Sequence, residues 1–176
     1  MKTTLSLFLF CLLLAPAAQS RAATLPDSCG KDSVKFDVAT KKSKSKLPSP
    51  AADKAQVILL ENENQMIGPF MHATVRFGMD GAWVGADNGN SYFVLEVTPG
   101  LHHLCASWQS AFHQFKKDVD LTSFTAEPGK DYYFSANVTV ASKEEVLFDL
   151  SQLNDDKGQY RAELAKLAVS KPKAGQ

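Results

Sequence analysis

Between residues 54 and 150, apolar and polar side chains alternate with period two, and glycine, proline, aspartate and asparagine clusters interrupt the alternation at short intervals. Such a pattern predicts short strands joined by tight turns. Residues 56–61 form an apolar run, and in residues 71–79 Ala73, Val75 and Phe77 alternate with Thr74, Arg76 and Gly78. Asp80 and Gly81 tolerate the positive φ of a hairpin turn, so a hairpin into residues 82–86 is expected. Asp87-Asn88-Gly89-Asn90 ends that strand, and residues 92–97 place Phe93, Leu95 and Val97 on one face. Thr98-Pro99-Gly100 turns the chain into residues 101–109. There Leu104, Ala106 and Trp108 are expected to face the core, with His103, Cys105 and Ser107 facing away. Residues 112–118 continue this strand after a bend. Residues 121–126 and 131–140 form a further hairpin about Glu127-Pro128-Gly129-Lys130, and residues 146–150 are the last strand expected.

The flanks read differently. Residues 33–38 alternate like a half-buried strand, but the lysines, serines and prolines of residues 41–50 predict a solvated connector. Toward the C-terminus Tyr160, Leu164 and Leu167 recur at helical spacing, with Asn154 or Asp155 as the cap, and Gly158 weakens the first turn. Residues 170–176 are expected to fray. The whole predicts a mainly β protein: an antiparallel β-sandwich of seven or eight strands with one C-terminal helix. The domain boundaries are then a leader over residues 1–22, an N-terminal segment over 23–53, the sandwich over 54–150, and a helix and tail over 151–176.

The leader is read from Met1-Lys2-Thr3-Thr4, the apolar residues 5–14 and the small residues after them, the order of a cleavable secretory signal peptide. The apolar run is about half the roughly twenty residues needed to span hydrocarbon, so no integral membrane span is expected. Ser20 and Ala22 supply the small side chains for a cut after Ala22, which sends the mature protein to the periplasm or the medium. Cys11 follows Phe10 rather than a small residue, so it is not a lipidation site. Removing Lys2 and Arg21 from 19 basic residues leaves 17 against 19 acidic ones, a balance that argues against a nucleic-acid or membrane-surface binder. Loss of Cys11 leaves Cys29 and Cys105, an even pair in an oxidising compartment, and a disulfide between them is predicted; the alternative is two reduced, buried cysteines.

One stretch is distinctive: Val75-Arg76-Phe77-Gly78-Met79-Asp80-Gly81-Ala82-Trp83-Val84-Gly85, then Asn88-Gly89-Asn90-Ser91-Tyr92, Pro99-Gly100-Leu101-His102, and Gly129-Lys130-Asp131-Tyr132-Tyr133. This order resembles a bacterial exported family catalogued as domain of unknown function twenty-eight forty-six. The resemblance covers roughly residues 54–150. It implies a transthyretin-like β-sandwich, export, and no established activity or catalytic residues; many members are lipoproteins, whereas this chain lacks the lipidation motif. It also gives Asp80, Gly81, Pro99, Gly100, His102 and Gly129 structural roles in turns, with the His102 ring fixing its own turn.

The remaining chemistry is sparse. Imidazole and thiolate are good zinc or copper ligands, so a metal-dependent or redox enzyme using His103, Cys105 and His113 is the alternative function. Their spacing, and that of His72, matches no metal template, and no Gly-x-Ser-x-Gly elbow is present. Tyr160-Arg161-Ala162-Glu163 departs from the Tyr-Arg-Gly-Ser tail of the transthyretin-like hydroxyisourate hydrolases. No cofactor and no catalytic residue is expected. Exposed aromatic residues offer the other route to function, with Trp83, Tyr92 and Tyr132 as candidate binding residues and Tyr133 facing opposite to Tyr132. The function expected is an exported bacterial envelope or secreted module, non-catalytic, that binds a protein or glycan partner or serves a structural role.

Overall fold

In a computed structural model the alternating pattern resolves into strands on both sides of one hydrophobic layer. The structure describes residues 26–43, 47–63, 74–109, 119–140 and 146–173; the leader and the strand continuation expected over residues 112–118 lie outside them. In chain order the described residues form β1 (Phe36–Lys42), β2 (Ala55–Glu63), β3 (Thr74–Met79), β4 (Ala82–Asn88), β5 (Ser91–Val97), β6 (Gly100–Trp108), β7 (Val119–Ala126), β8 (Asp131–Val140), β9 (Val146–Leu153), α1 (Asp155–Leu164) and β10 (Lys166–Pro172). Six strands make one sheet in the order β1-β10-β5-β2-β8-β9, and four make the other in the order β4-β3-β6-β7. The result is a β-sandwich with a single C-terminal helix.

Parity decides the core. Val57 and Leu59 of β2, Val75 and Phe77 of β3, Leu104 and Ala106 of β6, and Phe134 and Ala136 of β8 all meet between the sheets. The opposite face of the larger sheet is also apolar at its centre. Ile58 and Leu60 of β2, Tyr92 of β5 and Tyr133 of β8 pack there with Ala162 of α1. β2 is therefore buried on both faces, which is why its sequence reads as a continuous apolar run rather than an alternation.

The helix is explained by the topology. β10 runs parallel to β5, and tracing the pairings across β2 and β8 makes β10 parallel to β9 as well. Two parallel strands of one sheet need a crossover that travels back over the sheet, and α1 is that crossover, lying on β8 and β2. Asn154 caps it, its side-chain oxygen accepting from the Lys157 N–H at 2.9 Å. Gly158 permits the close approach: a Cβ there would stand 2.1 Å from Cγ of Tyr133.

Several expectations need correction. Residues 121–126 and 131–140 do not pair as a hairpin: β7 pairs with β6 in the small sheet and β8 with β2 and β9 in the large one, so the turn over residues 127–130 crosses between the sheets. The spacing of Tyr160, Leu164 and Leu167 does not mark the buried face of a helix. α1 buries Gly158 and Ala162, leaves Tyr160 and Leu164 exposed, and ends at Leu164, so that Leu167 belongs to β10. Residues 170–172 do not fray but pair with β1. Lys41 and Lys42 are not connector; they close β1 against Leu167 and Lys166. β1 is an edge strand, and exposed lysines on an edge suit it, because they discourage pairing with another chain. With β10 the strands number ten among the described residues, and two pairings of the larger sheet are parallel, β2 with β8 and β10 with β5.

Candidate functional site

Asp80 and Gly81 have φ of 51° and 88°, so the β3–β4 connection is a two-residue turn with both residues left-handed, as the sequence suggested. Just beyond it the register shifts: Phe77 opposes Gly85, whereas Gly78 opposes Trp83. The extra residue, Val84, is a β-bulge. It places Trp83 on the outer face of the small sheet, beside Arg76 and over Gly78.

The N-terminal segment covers that face. Cys29 and Cys105 form a disulfide with Cα atoms 5.3 Å apart, so residues 26–34 are tied to the middle of β6. Arg76 is buried beneath the segment and donates to the carbonyls of Asp32 (3.1 Å) and Val34 (2.6 Å) and to Oγ of Ser107 (3.1 Å). Its guanidinium carbon lies 4.4 Å from the centre of the Trp83 ring. Burial lowers the Arg76 pKa to about 10, which leaves the group charged at neutral pH. Trp83 Nε1–H donates to the Lys31 carbonyl at 2.8 Å, and the Gly81 N–H donates to the Ser28 carbonyl at 3.2 Å. Ser107 and Cys105 do face away from the core, yet both are buried, because this segment lies over them.

Where the segment meets β4 and the β1–β10 edge, a groove of about 420 Å³ remains open, walled by Lys31, Trp83, Val84 and Pro172 among others. Its size suits a small ligand or a single side chain of a partner. Trp83 is half-buried and lines it, with the indole held from behind by Arg76 and along its edge by Lys31.

The other predicted site residues are dispersed. Tyr92 is buried under the outer cluster of the larger sheet, its hydroxyl 2.9 Å from Oγ of Ser43, so it presents no surface. Tyr132 faces the inter-sheet core against Phe124, and its hydroxyl accepts from the Glu127 N–H at 2.9 Å. Tyr133 is buried beneath Gly158. Pro99 sits in the turn before Gly100, whose φ is 135°, and Gly129, with φ of 72°, donates its N–H to the Lys54 carbonyl at 2.7 Å.

His102 is held at both ring nitrogens, Nδ1 lying 2.6 Å from Asp80 Oδ2 and Nε2 2.8 Å from the Thr98 carbonyl. Both partners accept only, so the ring satisfies both as the doubly protonated imidazolium. Burial works against that charge, but the Thr98 carbonyl and the Asp80 carboxylate outweigh it, and the His102 pKa is raised. Burial likewise works against the Asp80 charge; the His103 N–H (2.8 Å) and the His102 ring outweigh it, and the Asp80 pKa is lowered.

No protein-family model, curated protein or solved structure matches the chain. Cys105, being in the disulfide, offers no thiolate to a metal; the His103 side chain is exposed, and His113 and His72 lie outside the described residues. Among the described residues no group of three potential ligands converges, and no helix is long and apolar enough to cross a membrane.

Two features escaped the sequence reading. Arg76 looked like the polar phase of an alternating strand, and only the cover supplied by residues 26–34 buries it. Asp87 belonged to a turn cluster, but it lies in β4 opposite Val75 and is fully buried, with neither carboxylate oxygen hydrogen-bonded. Burial, and then the nearby Glu61 charge, push its pKa well above the usual carboxylate range. It stands between an alternating run and Asn88-Gly89-Asn90, where no local signal marks it as buried.

Proposed function

We propose that the protein is an exported, non-catalytic binding or structural module of the bacterial envelope or the secreted fraction, engaging a partner protein or glycan through the groove beside Trp83. The observation that carries this reading is the groove itself. An indole is held rigidly by Arg76 and Lys31 at the rim of an open, partly apolar cleft, while the reactive residue types remain scattered. A fixed aromatic beside a cation and apolar walls supplies contact area at little entropic cost, which is the economy of a binding anchor. The Cys29–Cys105 disulfide supports export, since such bonds persist in oxidising compartments. The signal peptide over residues 1–22 and membership of the exported family of residues 54–150 belong to the same reading.

The test is a photocrosslinking amino acid placed at Ala82, which is exposed and lines the groove, in the exporting bacterium. A discrete adduct at Ala82, lost when Trp83→Ala is added, is expected, with none from the exposed and remote Thr125. Equal labelling from Ala82 and Thr125, or no adduct from either, would overturn the groove as the contact surface. The alternative of a metal-dependent or redox enzyme using His103, Cys105 and His113 loses its thiolate in the disulfide.

A further inference from the structure

The outer face of the larger sheet is covered by α1 over only part of its length. Beyond the helix the three strands β2, β8 and β9 carry a polar row in register: Asn62 opposes Asn137, and Asn137 opposes Asp149. The side chains are bonded sideways along the row. Asn62 Nδ2 donates to Asn137 Oδ1 at 3.1 Å, and Asn137 Nδ2 donates to Asp149 Oδ2 at 2.8 Å. Ser135 and Ser151, two residues along the same strands and on the same face, donate to Asn137 Oδ1 and Asp149 Oδ2, both at 3.3 Å, and so fix the two side chains from the helix side. Arg161 on α1 leans on the same layer through Oγ of Ser135 at 3.2 Å.

Counting what these bonds use shows what is left. Each amide nitrogen retains one N–H, the Asn62 carbonyl and Asp149 Oδ1 retain lone pairs, and Arg161 retains further N–H groups. Donors and acceptors therefore lie side by side along two inter-strand spacings, about 10 Å in all. Arg161 and Asp149 carry opposite charges, and the buried Glu61 beside them accepts from the Asn90 N–H at 2.9 Å through Oε2. Where the row meets the helix, a groove of about 360 Å³ is lined by Asn62, Arg161, Tyr160 and Leu164. Tyr160 is 63% exposed and Leu164 71%, an aromatic and an aliphatic side chain one helical turn apart.

We infer that this face is a second binding site and that its ligand is a neutral saccharide. A pyranose has an edge of hydroxyls that both donate and accept, and a face of C–H groups that is apolar. The Asn62–Asn137–Asp149 row with Arg161 matches the edge, and the Tyr160 ring matches the face. The row is held on a sheet by its own hydrogen bonds, so little ordering remains to be done when a ligand arrives. An acidic ligand would face Asp149 and the groove-lining Glu61, and a basic one would face Arg161; a neutral polyol meets no like charge. The site shares no lining residue with the Trp83 groove, so this titration and the Ala82 crosslink succeed or fail independently.

The experiment is an isotope-edited NMR titration of the disulfide-bonded protein with cellohexaose, chitohexaose and mannohexaose, each to about 10 mM, enough to detect a Kd near 1 mM. At least one of the three is expected to shift the side-chain amides of Asn62 and Asn137 together with the Tyr160 ring. Tyr160→Ala should weaken that binding by about tenfold and Tyr160→Phe should restore it, because only the ring face is used. Tyr160 is exposed, so both variants should keep the amide spectrum of the folded protein. No shift at those amides with any of the three sugars would overturn the inference, as would binding that Tyr160→Ala leaves unchanged. Shifts at the same amides with an apolar decapeptide but not with sugars would make the face a peptide-docking surface and overturn it equally.

Discussion

Each sheet of the sandwich has a cover on its outer face, and the two covers are held in different ways. On the small sheet the cover is irregular chain, residues 26–34, with few apolar side chains. It is fixed by a covalent bond at Cys29–Cys105 and by a buried cation, Arg76, that gathers two of its carbonyls. On the large sheet the cover is a regular helix that brings its glycine and alanine face onto Tyr133 and Leu60, and it is held mainly by close packing, with one side-chain hydrogen bond from Arg161 to Ser135. A segment that cannot bury apolar area needs a tether and polar partners, whereas a helix that can do so needs only a good fit. The consequence is functional. The tethered cover positions Trp83 at a groove, and the packed cover stops short, leaving Asp149 exposed and Asn62 and Asn137 half-buried.

The largest effect is expected from cutting the tether. Cys29→Ser with Cys105→Ser opens a closure of 76 residues, for which chain entropy gives about 4 kcal/mol of lost stability, read from urea midpoints at unchanged slope. Arg76 would lose its enclosure at the same time, so Trp83 fluorescence should shift to the red before global unfolding. Coincident transitions by fluorescence and far-ultraviolet circular dichroism would show instead that the cover and the sandwich are one cooperative unit.

The packed cover is broken more gently. In an isolated helix Gly→Ala is worth about 1 kcal/mol in favour of alanine. At Gly158 the added methyl meets the Tyr133 ring at 2.1 Å, and the ring is buried and bound to the core of the sheet. Overpacking of this kind costs about 1–3 kcal/mol, so Gly158→Ala should destabilise the protein despite the better helix propensity. A rise in the urea midpoint would mean that the helix rides loosely, and the contrast between the covers would lose half its basis.

How much of this the sequence made readable depends on what each residue answers to. Val75, Phe77, Leu104 and Phe134 answer to strand parity, a local property, and their faces follow from the alternation. Asp80-Gly81 answers to backbone conformation, also local. The Cys29–Cys105 pairing follows from counting the cysteines left once residues 1–22 are read as a cleaved leader. Tyr92 and Arg76 are different, because each is buried by a segment remote in sequence: the outer cluster with Ser43 in one case, residues 26–34 in the other. Periodicity carries no information about such covers. β10 was missed for a related reason. Leu167 fits both a helical spacing from Tyr160 and a strand alternation with Val169, and only pairing with β1 decides between them. The Asn62–Asn137–Asp149 row is a matter of register across three strands, which no single stretch of sequence displays.

The smallest effect lies at the turn on which the tethered cover rests. Gly81 donates its N–H to Ser28, and Asp80 beside it is clamped by His102. The His102 pKa is raised above its ordinary 6.5, so the stability it contributes is complete below that pH and is lost as the pH rises through the folded value. The Asp80 pKa is lowered from its ordinary 3.8, so its contribution is present above that pH and is lost as the pH falls through the folded value. The clamp is therefore strongest between these two ordinary values. Because 45% of the Asp80 side chain is exposed, solvent screening holds the interaction below about 1 kcal/mol. The stability difference between the native protein and His102→Gln should be largest near pH 5.5 and shrink toward about pH 8.5, as the imidazolium loses its proton. An equal difference at both ends would mean that His102 holds the turn by shape and neutral hydrogen bonding, and the small-sheet cover would then rest on a support indifferent to pH, like the helix on the other side.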